Sequence, residues 1–409
     1  MTYPTLDLET ASKILDFTGG REDLKALGEV QLKGAVALYN MINADRLGLG
    51  YLADEVGMGK TYIALGVVAL MRYFNPTLRV LYICPSANVQ DKWLREHASF
   101  IDRNVCTASY RVRTPEGKPA APVAKCDSLE ELIRTAASGF YADFFVRNGS
   151  FSFGLKKADG ENDQEAIKSW NAQRNKLQEM VPAFKLSSEN PTHWGVKEEF
   201  ARALNYVLPT FDLVVIDEAH NFKHNFDSSD RNRVLSQVLG LYQGESEDGK
   251  LKTQQRVRNA LLLSATPYDR NIDQLRNQLA LVGKDSLLSN VQSVKDRGEI
   301  AHFMVRRLNR LKIGEKEYTR NMYRAEWRDG PKAAIDLATD EQKLVTALVQ
   351  KKVGDTLGHK HGSPSFQMGM LASFESYGET TRSPKVEFDS DDPDERGRDA
   401  QDRNVVGAI

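Results

Sequence analysis

The feature that most constrains this chain is a short apolar strand that runs into a glycine-containing turn and then into a helix. Residues 49–61 read LGYLADEVGMGKT, and a helix is predicted to open at Lys60. The N–H groups of such a turn and the positive end of the helix converge on one point, which attracts phosphate. Gly57 and Gly59 would let the backbone approach phosphate closely. Lys60 would reach the β- and γ-phosphates, and the Thr61 hydroxyl would ligate Mg²⁺.

The segment departs at one position from the general phosphate-loop pattern GxxxxGK[ST], because Asp54 stands where the first glycine is expected. We predict an ATP site formed by the following loop residues: Asp54, Val56, Gly57, Met58, Gly59, Lys60 and Thr61. The residues leave one alternative open, which is a glycine turn that does no more than cap an amphipathic helix.

Strand and helix patterns alternate around this loop. A helical pattern begins at Gln31, whose amide carries the paired donor and acceptor that could read an adenine; many glutamines at helix starts only solvate or cap. A helix over 61–73, a strand over 79–84 and a helix over 88–100 follow. The continuous apolar run 79–84 is typical of a strand buried on both faces. This order predicts an α/β fold with a parallel sheet flanked by helices and phosphate sites at the carboxyl ends of its strands.

Two later strands also end in chemically active residues. The apolar run 213–216 is followed by Asp217, Glu218 and His220. An acidic pair at the end of a buried strand, in a sheet whose first strand feeds a phosphate loop, suits metal binding and activation of a water molecule. The run 260–263 leads into a Ser-Ala-Thr-Pro turn, whose hydroxyls can hydrogen-bond across the site or cap a helix.

Between these strands, the alternation is lost over residues 102–205, which we interpret as an inserted, mainly helical subdomain. It contains an aromatic cluster: Phe140, Tyr141, Phe144, Phe145, Phe151 and Phe153. These rings could stack on nucleic-acid bases. The interpretation we favour is that they form the small core of the subdomain.

Length, charge and cysteine content exclude several classes of protein for this chain. The 409 residues suffice for two or three domains, and a net charge of −1 means that any nucleic-acid site must be a local patch. The three cysteines are odd in number and lack CxxC spacing, which argues against a disulfide framework and a zinc site. Neither a leader peptide nor a run of 18 apolar residues is evident, so we expect a cytoplasmic protein without a membrane partner.

Three motifs in this order, LADEVGMGKT, VVIDEAH and LLLSATP, resemble the first RecA-like lobe of superfamily-two helicases, and most of all the SWI/SNF-type DNA translocases. In that group an acidic pair precedes the glycines of the loop, so Asp54 agrees with the family. The resemblance extends to Gln31, to residues 80–100 and to the paired arginines Arg306 and Arg307.

The resemblance implies a role for each matched residue. Lys60 and Thr61 would bind phosphates and Mg²⁺, Asp217 the metal, and Glu218 the hydrolytic water. The residues that would couple nucleotide state to DNA are His220, Ser264 and Thr266. Those that would contact the nucleic-acid backbone are Ser86, Arg306 and Arg307.

The same family uses a second RecA-like lobe, and no matching series of strands and helices follows residue 330. We therefore expect a fragment or a split protein whose partner lobe is truncated in cis or supplied in trans. The basic run 306–324 is either a phosphate-binding patch or a solvated face, and the acidic segment near the end is either a linker or a mimic of nucleic acid. The predicted domains are 1–30 (lead-in), 31–101 and 206–330 (RecA-like lobe), 102–205 (insertion), 331–380 (helical extension) and 381–409 (acidic linker).

Three functions share these motifs. The first is a DNA-dependent ATPase that uses Mg-ATP to translocate on double-stranded DNA. The second is a strand-separating helicase or the motor subunit of a restriction or phage-defence complex. The third is a non-enzymatic nucleotide-binding regulatory subunit. We expect the isolated chain to bind ATP but to hydrolyse it poorly, because an arginine finger from a second lobe contributes about 10³- to 10⁵-fold in rate.

Overall fold

A computed structural model describes twelve stretches of the chain: residues 3–43, 47–54, 58–106, 123–152, 154–156, 163–186, 191–241, 253–268, 271–291, 297–305, 310–313 and 316–319. The chain divides into two units, Met1–Arg324 and Ala325–Ile409, and every described residue lies in the first. The predicted helical extension over 331–380 therefore lies outside the described residues.

The strands are β1 (Leu49–Leu52), β2 (Val80–Cys84), β3 (Ala124–Cys126), β4 (Asp143–Arg147), β5 (Phe211–Ile216), β6 (Val257–Leu263), β7 (Met304–Val305), β8 (Arg310–Ile313) and β9 (Lys316–Thr319). The helices are α1 (Leu8–Ile14), α2 (Lys25–Asn43), α3 (Lys60–Phe74), α4 (Ala87–Asn104), α5 (Leu129–Ser138), α6 (Gln164–Met180), α7 (His193–Val207), α8 (Asp230–Val238), α9 (Ile272–Ala280) and α10 (Arg297–Ala301). Four short 3₁₀ helices span Glu22–Leu24, Asn148–Ser152, Ala219–Phe222 and Asp285–Leu288.

Seven strands form one sheet in the order β3-β4-β2-β5-β6-β1-β7, and every pair in it is parallel. The strands β8 and β9 form a separate antiparallel pair. Every residue of β1 and β2 is buried, as the continuous apolar runs predict for strands covered on both faces. The predicted α/β class, with a parallel sheet flanked by helices, is confirmed.

Alternate residues of β2 enter two different hydrophobic cores, which identifies the two faces of the sheet. Leu81 and Ile83 pack in one core with apolar residues of α5, α6, α7, α8 and α9. Val80, Tyr82 and Cys84 pack in the other with residues of α1, α2, α3 and α4. The period of two along the strand thus assigns each helix to a layer.

Part of the segment 102–205 lies in the main sheet rather than in a separate subdomain. Its strand β4 pairs with β2 over five residues, and β3 extends the sheet beyond it. The Phe145 ring stacks on Tyr82 with centroids 4.2 Å apart, whereas Phe144 packs edge-on against Phe211 on the other face. The expectation of a small separate core is wrong for these two rings, because adjacent aromatics in a doubly covered strand enter opposite cores.

The predicted helix start at Gln31 is also wrong. Helix α2 begins at Lys25, so Gln31 lies within it, and its side chain is buried. A 3₁₀ turn at Glu22–Leu24 leads into the helix, and Gly28 within it does not interrupt the hydrogen bonding. The residues before position 31 lack the apolar periodicity that predicts a helix. The sequence therefore did not indicate this first part of α2.

Candidate nucleotide site

The candidate residues gather at one edge of the sheet. The strands β5, β6 and β1 are neighbours, and their carboxyl ends lead to Asp217, to Ser264 and to the loop that ends at Lys60. Ser264 N–H donates to the Leu52 carbonyl at 3.1 Å, which joins two of these ends directly. The carboxyl edge of an open parallel sheet is where such folds bind ligands.

The described part of the loop has the geometry of a phosphate cradle. Gly59 adopts φ +80° immediately before α3, and no side chain caps this helix terminus. The Lys60 Nζ donates to the Asp54 carbonyl at 3.0 Å, which folds the lysine back over the loop. Thr61 lies half-buried in the first turn. Residues 55–57 lie outside the described residues, so the roles of Val56 and Gly57 stay predictions.

The buried Gln31 amide lies against this loop. Its Nε2 donates to the Met58 carbonyl at 3.4 Å. A Cβ built on Gly59 would overlap the same Nε2 atom. The glutamine thus reaches the nucleotide loop from within α2 rather than from a helix start.

Asp217 is a half-buried carboxylate at the end of β5. The Trp93 indole Nε1 donates to its Oδ2 at 2.8 Å. Burial raises the pKa of Asp217 above its usual 3.8, and the neighbouring Glu218 charge adds to the rise, while Trp93 and Lys60 oppose it. A carboxylate of this kind favours a cation or a proton beside it.

Glu218 has a strained backbone and a side chain whose pKa is lowered by its neighbours. Its φ of 49° is the only positive φ of a non-glycine among the residues that the structure describes, and such strain concentrates at functional sites. A hydrogen bond from His220 lowers the pKa of Glu218 below its usual 4.5, and Lys60 lowers it further. Glu218 is therefore an ionised acceptor at neutral pH, beside Asp217, whose pKa is shifted in the opposite direction.

His220 joins the acidic pair to the Ser-Ala-Thr-Pro turn. Its Nδ1 lies 3.2 Å from Glu218 Oε2 and 3.0 Å from Ser264 Oγ. The Thr266 N–H donates to the same Ser264 oxygen at 3.1 Å, while the Thr266 side chain is exposed. The predicted coupling residues therefore meet, although Thr266 takes part through its backbone.

Among the nucleic-acid candidates, the structure describes Ser86 but not Arg306 and Arg307. Ser86 is exposed at the start of α4, where its Oγ caps the helix by accepting from the Val89 N–H at 3.4 Å. This contact accounts for serine at that position by itself. The contacts predicted for the two arginines lie outside the described residues.

Two contacts at the site were missed by sequence reasoning. Trp93 was noted only as part of a resembling segment, and its bond to Asp217 joins residues 124 apart in sequence. Tyr51 and Gln278 were not singled out, and they share a buried hydrogen bond of 2.7 Å behind the site. A tyrosine within the apolar strand that feeds the loop was the available signal, because a buried hydroxyl needs a partner.

The residues present fit Mg-ATP. An uncapped helix terminus with Lys60 beside it suits phosphate, and the Thr61 hydroxyl and Asp217 carboxylate are the oxygen donors that Mg²⁺ prefers. Within the described ranges there is no group of three or more His, Cys, Asp or Glu that could hold a metal.

Comparison with known proteins gives a general likeness in structure. No protein-family model matches the chain, and no curated protein matches it. The SWI2/SNF2 ATPase core of Sulfolobus solfataricus in complex with double-stranded DNA is similar with 15% identity and a TM-score of 0.39, over 95% of this chain and 63% of that one. A second structure, the SWI2/SNF2 ATPase core domain of Sulfolobus solfataricus, is similar with 14% identity and a TM-score of 0.37, over 89% of this chain and 58% of that one. The chain thus spans less than two thirds of the length of these solved structures.

The helices in the described ranges include none with the length and apolar character needed to cross a membrane.

Proposed function

We propose that the chain is the first RecA-like lobe of a superfamily-two, SWI/SNF-type DNA-dependent ATPase, which uses Mg-ATP to move along double-stranded DNA. One observation carries this proposal: Lys60 follows the carboxyl end of β1 and Asp217 and Glu218 follow that of β5, on the same edge of the parallel sheet with β6 between the two strands. Lys60 lies close enough to act electrostatically on both carboxylates. This combination suits a polyphosphate with a bound metal ion. The lysine and the uncapped helix terminus attract the phosphates, and the two carboxylates attract the metal.

The loop and α2 would bind the nucleotide. Lys60 exchanges the Asp54 carbonyl, its present acceptor at 3.0 Å, for phosphate oxygens. The N–H groups at the start of α3 donate to the same phosphates. Gln31, whose Nε2 donates to the Met58 carbonyl at 3.4 Å, would pair its amide with the donor and acceptor atoms on the edge of adenine.

Thr61 and Asp217 would be the protein ligands of the metal, and Trp93, which donates to Asp217, would orient that carboxylate. When bound, Mg²⁺ neutralises charge that develops on the transferring phosphoryl group.

Glu218 would prepare the attacking water. It accepts a hydrogen bond from that water and takes its proton as the water oxygen bonds to the γ-phosphorus. The bond from that phosphorus to the bridging oxygen breaks, and ADP leaves with the electron pair. His220 positions Glu218 through a contact of 3.2 Å. Through its contact with Ser264, His220 would also couple the nucleotide state of the site to the turn that contains Ser264 and Thr266.

Nucleic acid would bind through backbone phosphates, with Ser86 at the start of α4 and Arg306 and Arg307 as candidate contacts. Such contacts position a protein on DNA without reading sequence. The arginines that complete the reaction belong to a second RecA-like lobe, in cis or in trans.

The first experiment measures ATP binding to the 409-residue chain by calorimetry with Mg²⁺. Lys60→Ala is expected to weaken binding by about 10- to 100-fold, because it removes the phosphate-binding charge. Lys33→Ala, an exposed lysine on α2, is the matched control and should leave affinity unchanged. Equal affinity in the two variants would show that the loop does not bind ATP.

A second pair of variants separates enzyme from regulatory subunit. Glu218→Gln should keep the ATP affinity and lower DNA-stimulated hydrolysis by about 100-fold or more, because the general base is lost. Glu29→Gln, exposed on α2, controls for the change of charge. Unchanged hydrolysis in Glu218→Gln, with a second lobe supplied, would favour the non-enzymatic subunit. Strand displacement measured beside triplex displacement separates a helicase from a translocase.

A further inference from the structure

Two adjacent polar residues of α9 hold the backbones of two turns at the proposed site. The Gln278 Nε2 donates to the Pro267 carbonyl at 2.6 Å, in the Ser-Ala-Thr-Pro turn that follows β6. The Asn277 Nδ2 donates to the Lys223 carbonyl at 2.8 Å, in the turn that follows β5. Because a turn carbonyl away from water needs a donor, these bonds tie both turns to one helix.

Gln278 also reaches the strand that feeds the nucleotide loop. The hydroxyl of Tyr51, on β1, lies 2.7 Å from Gln278 Oε1, and both side chains are almost fully buried. The Gln278 Nε2 donates to a second carbonyl, that of Gln274, at 3.0 Å. Both hydrogens of the amide nitrogen are thus used on carbonyls, so the Tyr51 hydroxyl donates to the amide oxygen. A continuous chain of hydrogen bonds therefore runs from β1 through Gln278 to the Pro267 carbonyl.

The first end of this chain lies beside a group that has two alternative partners. Tyr51 is three residues before Asp54, whose carbonyl accepts a hydrogen bond from Lys60 at 3.0 Å. In the proposed function, Lys60 leaves this carbonyl for the phosphates of ATP. The segment that follows β1 therefore has different contacts with and without nucleotide.

We propose that Gln278 is a positioning residue that couples the occupancy of the nucleotide loop to the Ser-Ala-Thr-Pro turn. It receives the hydroxyl of Tyr51 on one side and holds the Pro267 carbonyl on the other. Contiguous hydrogen bonds transmit such coupling when a group at one end has two discrete arrangements, which Lys60 supplies. This inference rests on the proposed function, because it needs a nucleotide at Lys60.

The measurement is hydrogen exchange of residues 264–268 in the 409-residue chain, by mass spectrometry, with and without a non-hydrolysable ATP analogue and Mg²⁺. The quantity compared is the ratio of the exchange rate without nucleotide to the rate with nucleotide. In the parent chain this ratio is expected to be about fivefold or more, the usual lower size of coupling between two sites. A general loss of stability raises both rates, so it does not account for a change in their ratio.

Two single variants break the chain of hydrogen bonds at different points. Tyr51→Phe removes the bond to β1, and Gln278→Leu removes the bonds on both sides. In each, the exchange ratio should fall to about one, while calorimetry should show ATP affinity close to that of the parent, because Lys60 is untouched. If Gln278→Leu does not fold, the conservative Tyr51→Phe decides the question.

The double variant separates positioning from stability. Tyr51→Phe combined with Gln278→Leu leaves neither the hydroxyl nor the amide buried without its partner, so it should be at least as stable in urea as Gln278→Leu. Its exchange ratio should nevertheless stay at about one, since the chain of hydrogen bonds is absent. A double variant with the exchange ratio of the parent would overturn the proposal.

Gln90→Leu is the matched control. Gln90 is a fully buried glutamine on α4, and its Nε2 also donates to two carbonyls, those of Cys126 and Phe145, at 3.1 and 2.8 Å. This variant should lose stability and keep the exchange ratio of the parent. An equal fall in the ratio of Gln90→Leu would overturn the proposal.

Two further results would overturn the coupling through Gln278. One is a ratio of about one in a parent chain that binds the analogue. The other is an unchanged ratio in Tyr51→Phe, which would show that the backbone bond from Ser264 N–H to the Leu52 carbonyl is sufficient. In both cases the proposed function stands, because the nucleotide binds. A parent chain that does not bind the analogue would refute the proposed function and this inference together.

Discussion

Two features of the structure require glycine at position 59. Its φ of +80° favours glycine, and a Cβ there would overlap the amide nitrogen of Gln31. The left-handed conformation costs a non-glycine residue about 1–2 kcal/mol. The close approach of Gln31 links the loop backbone to the side chain that is proposed to read adenine.

Gly59→Ala is therefore expected to lose about 1–2 kcal/mol of unfolding free energy and also ATP affinity. Gly20→Ala is the matched control, since Gly20 has φ +81° and no atom within 4 Å of a built Cβ. It should lose similar stability and keep its ATP affinity. Urea unfolding and calorimetry measure the two effects, and equal ATP affinity in both variants would contradict the link to Gln31.

Trp93 is the clearest residue-scale contribution that tertiary structure added to the site. Trp93→Phe removes the hydrogen-bond donor to Asp217. The factor by which Mg²⁺ increases nucleotide affinity should fall by about tenfold or more, as it does when other partners of metal ligands are removed. Nucleotide affinity without Mg²⁺ should not change. Trp170→Phe is the control, because its indole donates to the Lys156 carbonyl at 2.8 Å, away from the site. Titration with Mg²⁺ would contradict the role if the two variants behaved alike.

At the scale of elements, apolar runs located most strands and helices to within a few residues. The predicted strand over 213–216 is observed at Phe211–Ile216, and the predicted helix over 88–100 at Ala87–Asn104. Most of the extra residues are polar, and all of them lie at the ends of the elements, where periodicity is weak. Short strands such as β3 were missed because three residues carry no detectable period.

A buried ion pair fixes α3 against β4. Arg72 and Asp143 form two hydrogen bonds of 2.6 and 2.8 Å with fully buried side chains, and His97 of α4 lies 3.3 Å from the same carboxylate. Burial acts to raise the pKa of Asp143, but Arg72 and His97 prevail and hold it below its usual 3.8.

Asp143→Ala should lower the unfolding free energy by about 3–5 kcal/mol, because it leaves the Arg72 charge buried without its carboxylate. Replacing both residues, as Arg72→Met with Asp143→Leu, should recover much of this loss, since an apolar pair of similar volume avoids the desolvation cost. Urea denaturation of the parent and the two variants measures both values. A double variant less stable than Asp143→Ala would contradict the argument.

The same pair has a pH signature with a defined sign. A carboxylate whose folded pKa is lowered stabilises the fold above its unfolded pKa, and this contribution disappears as the pH falls through the folded value. Stability of the parent should therefore decline below pH 3.8 more steeply than stability of Asp143→Asn. Parallel acid-denaturation slopes would show that the ion pair contributes nothing in this range.

At the scale of the whole molecule, the segment 102–205 is part of the body of the sheet. It supplies β3 and β4 and the helices α5, α6 and most of α7, which cover one face. The domain boundaries in the rest of the chain stay predictions. Resemblance of motifs pointed to the candidate nucleotide residues, but motif spacing could not show which intervening strands join the same sheet.

Excision of residues 105–206 with a short linker should therefore abolish cooperative unfolding. It would expose the edge of β2 and the Tyr82 face that Phe145 now covers, and burial of such a ring contributes about 3–5 kcal/mol. Near-ultraviolet circular dichroism during urea titration measures cooperativity. A sharp transition with ATP binding retained would show instead that the segment is a detachable insertion.

The sequence by itself determined the class of the fold and the edge at which the site forms. Apolar runs that end in Lys60, Asp217 and Ser264 are local patterns, and parallel strands carry their carboxyl ends to one edge. The tertiary structure alone decided that Gln31 reaches the loop from within a helix, that Trp93 orients Asp217, and that Tyr51 meets Gln278 across 227 positions. These contacts depend on which helix covers which face of the sheet. No local period records that choice, because it follows from the packing of the whole chain.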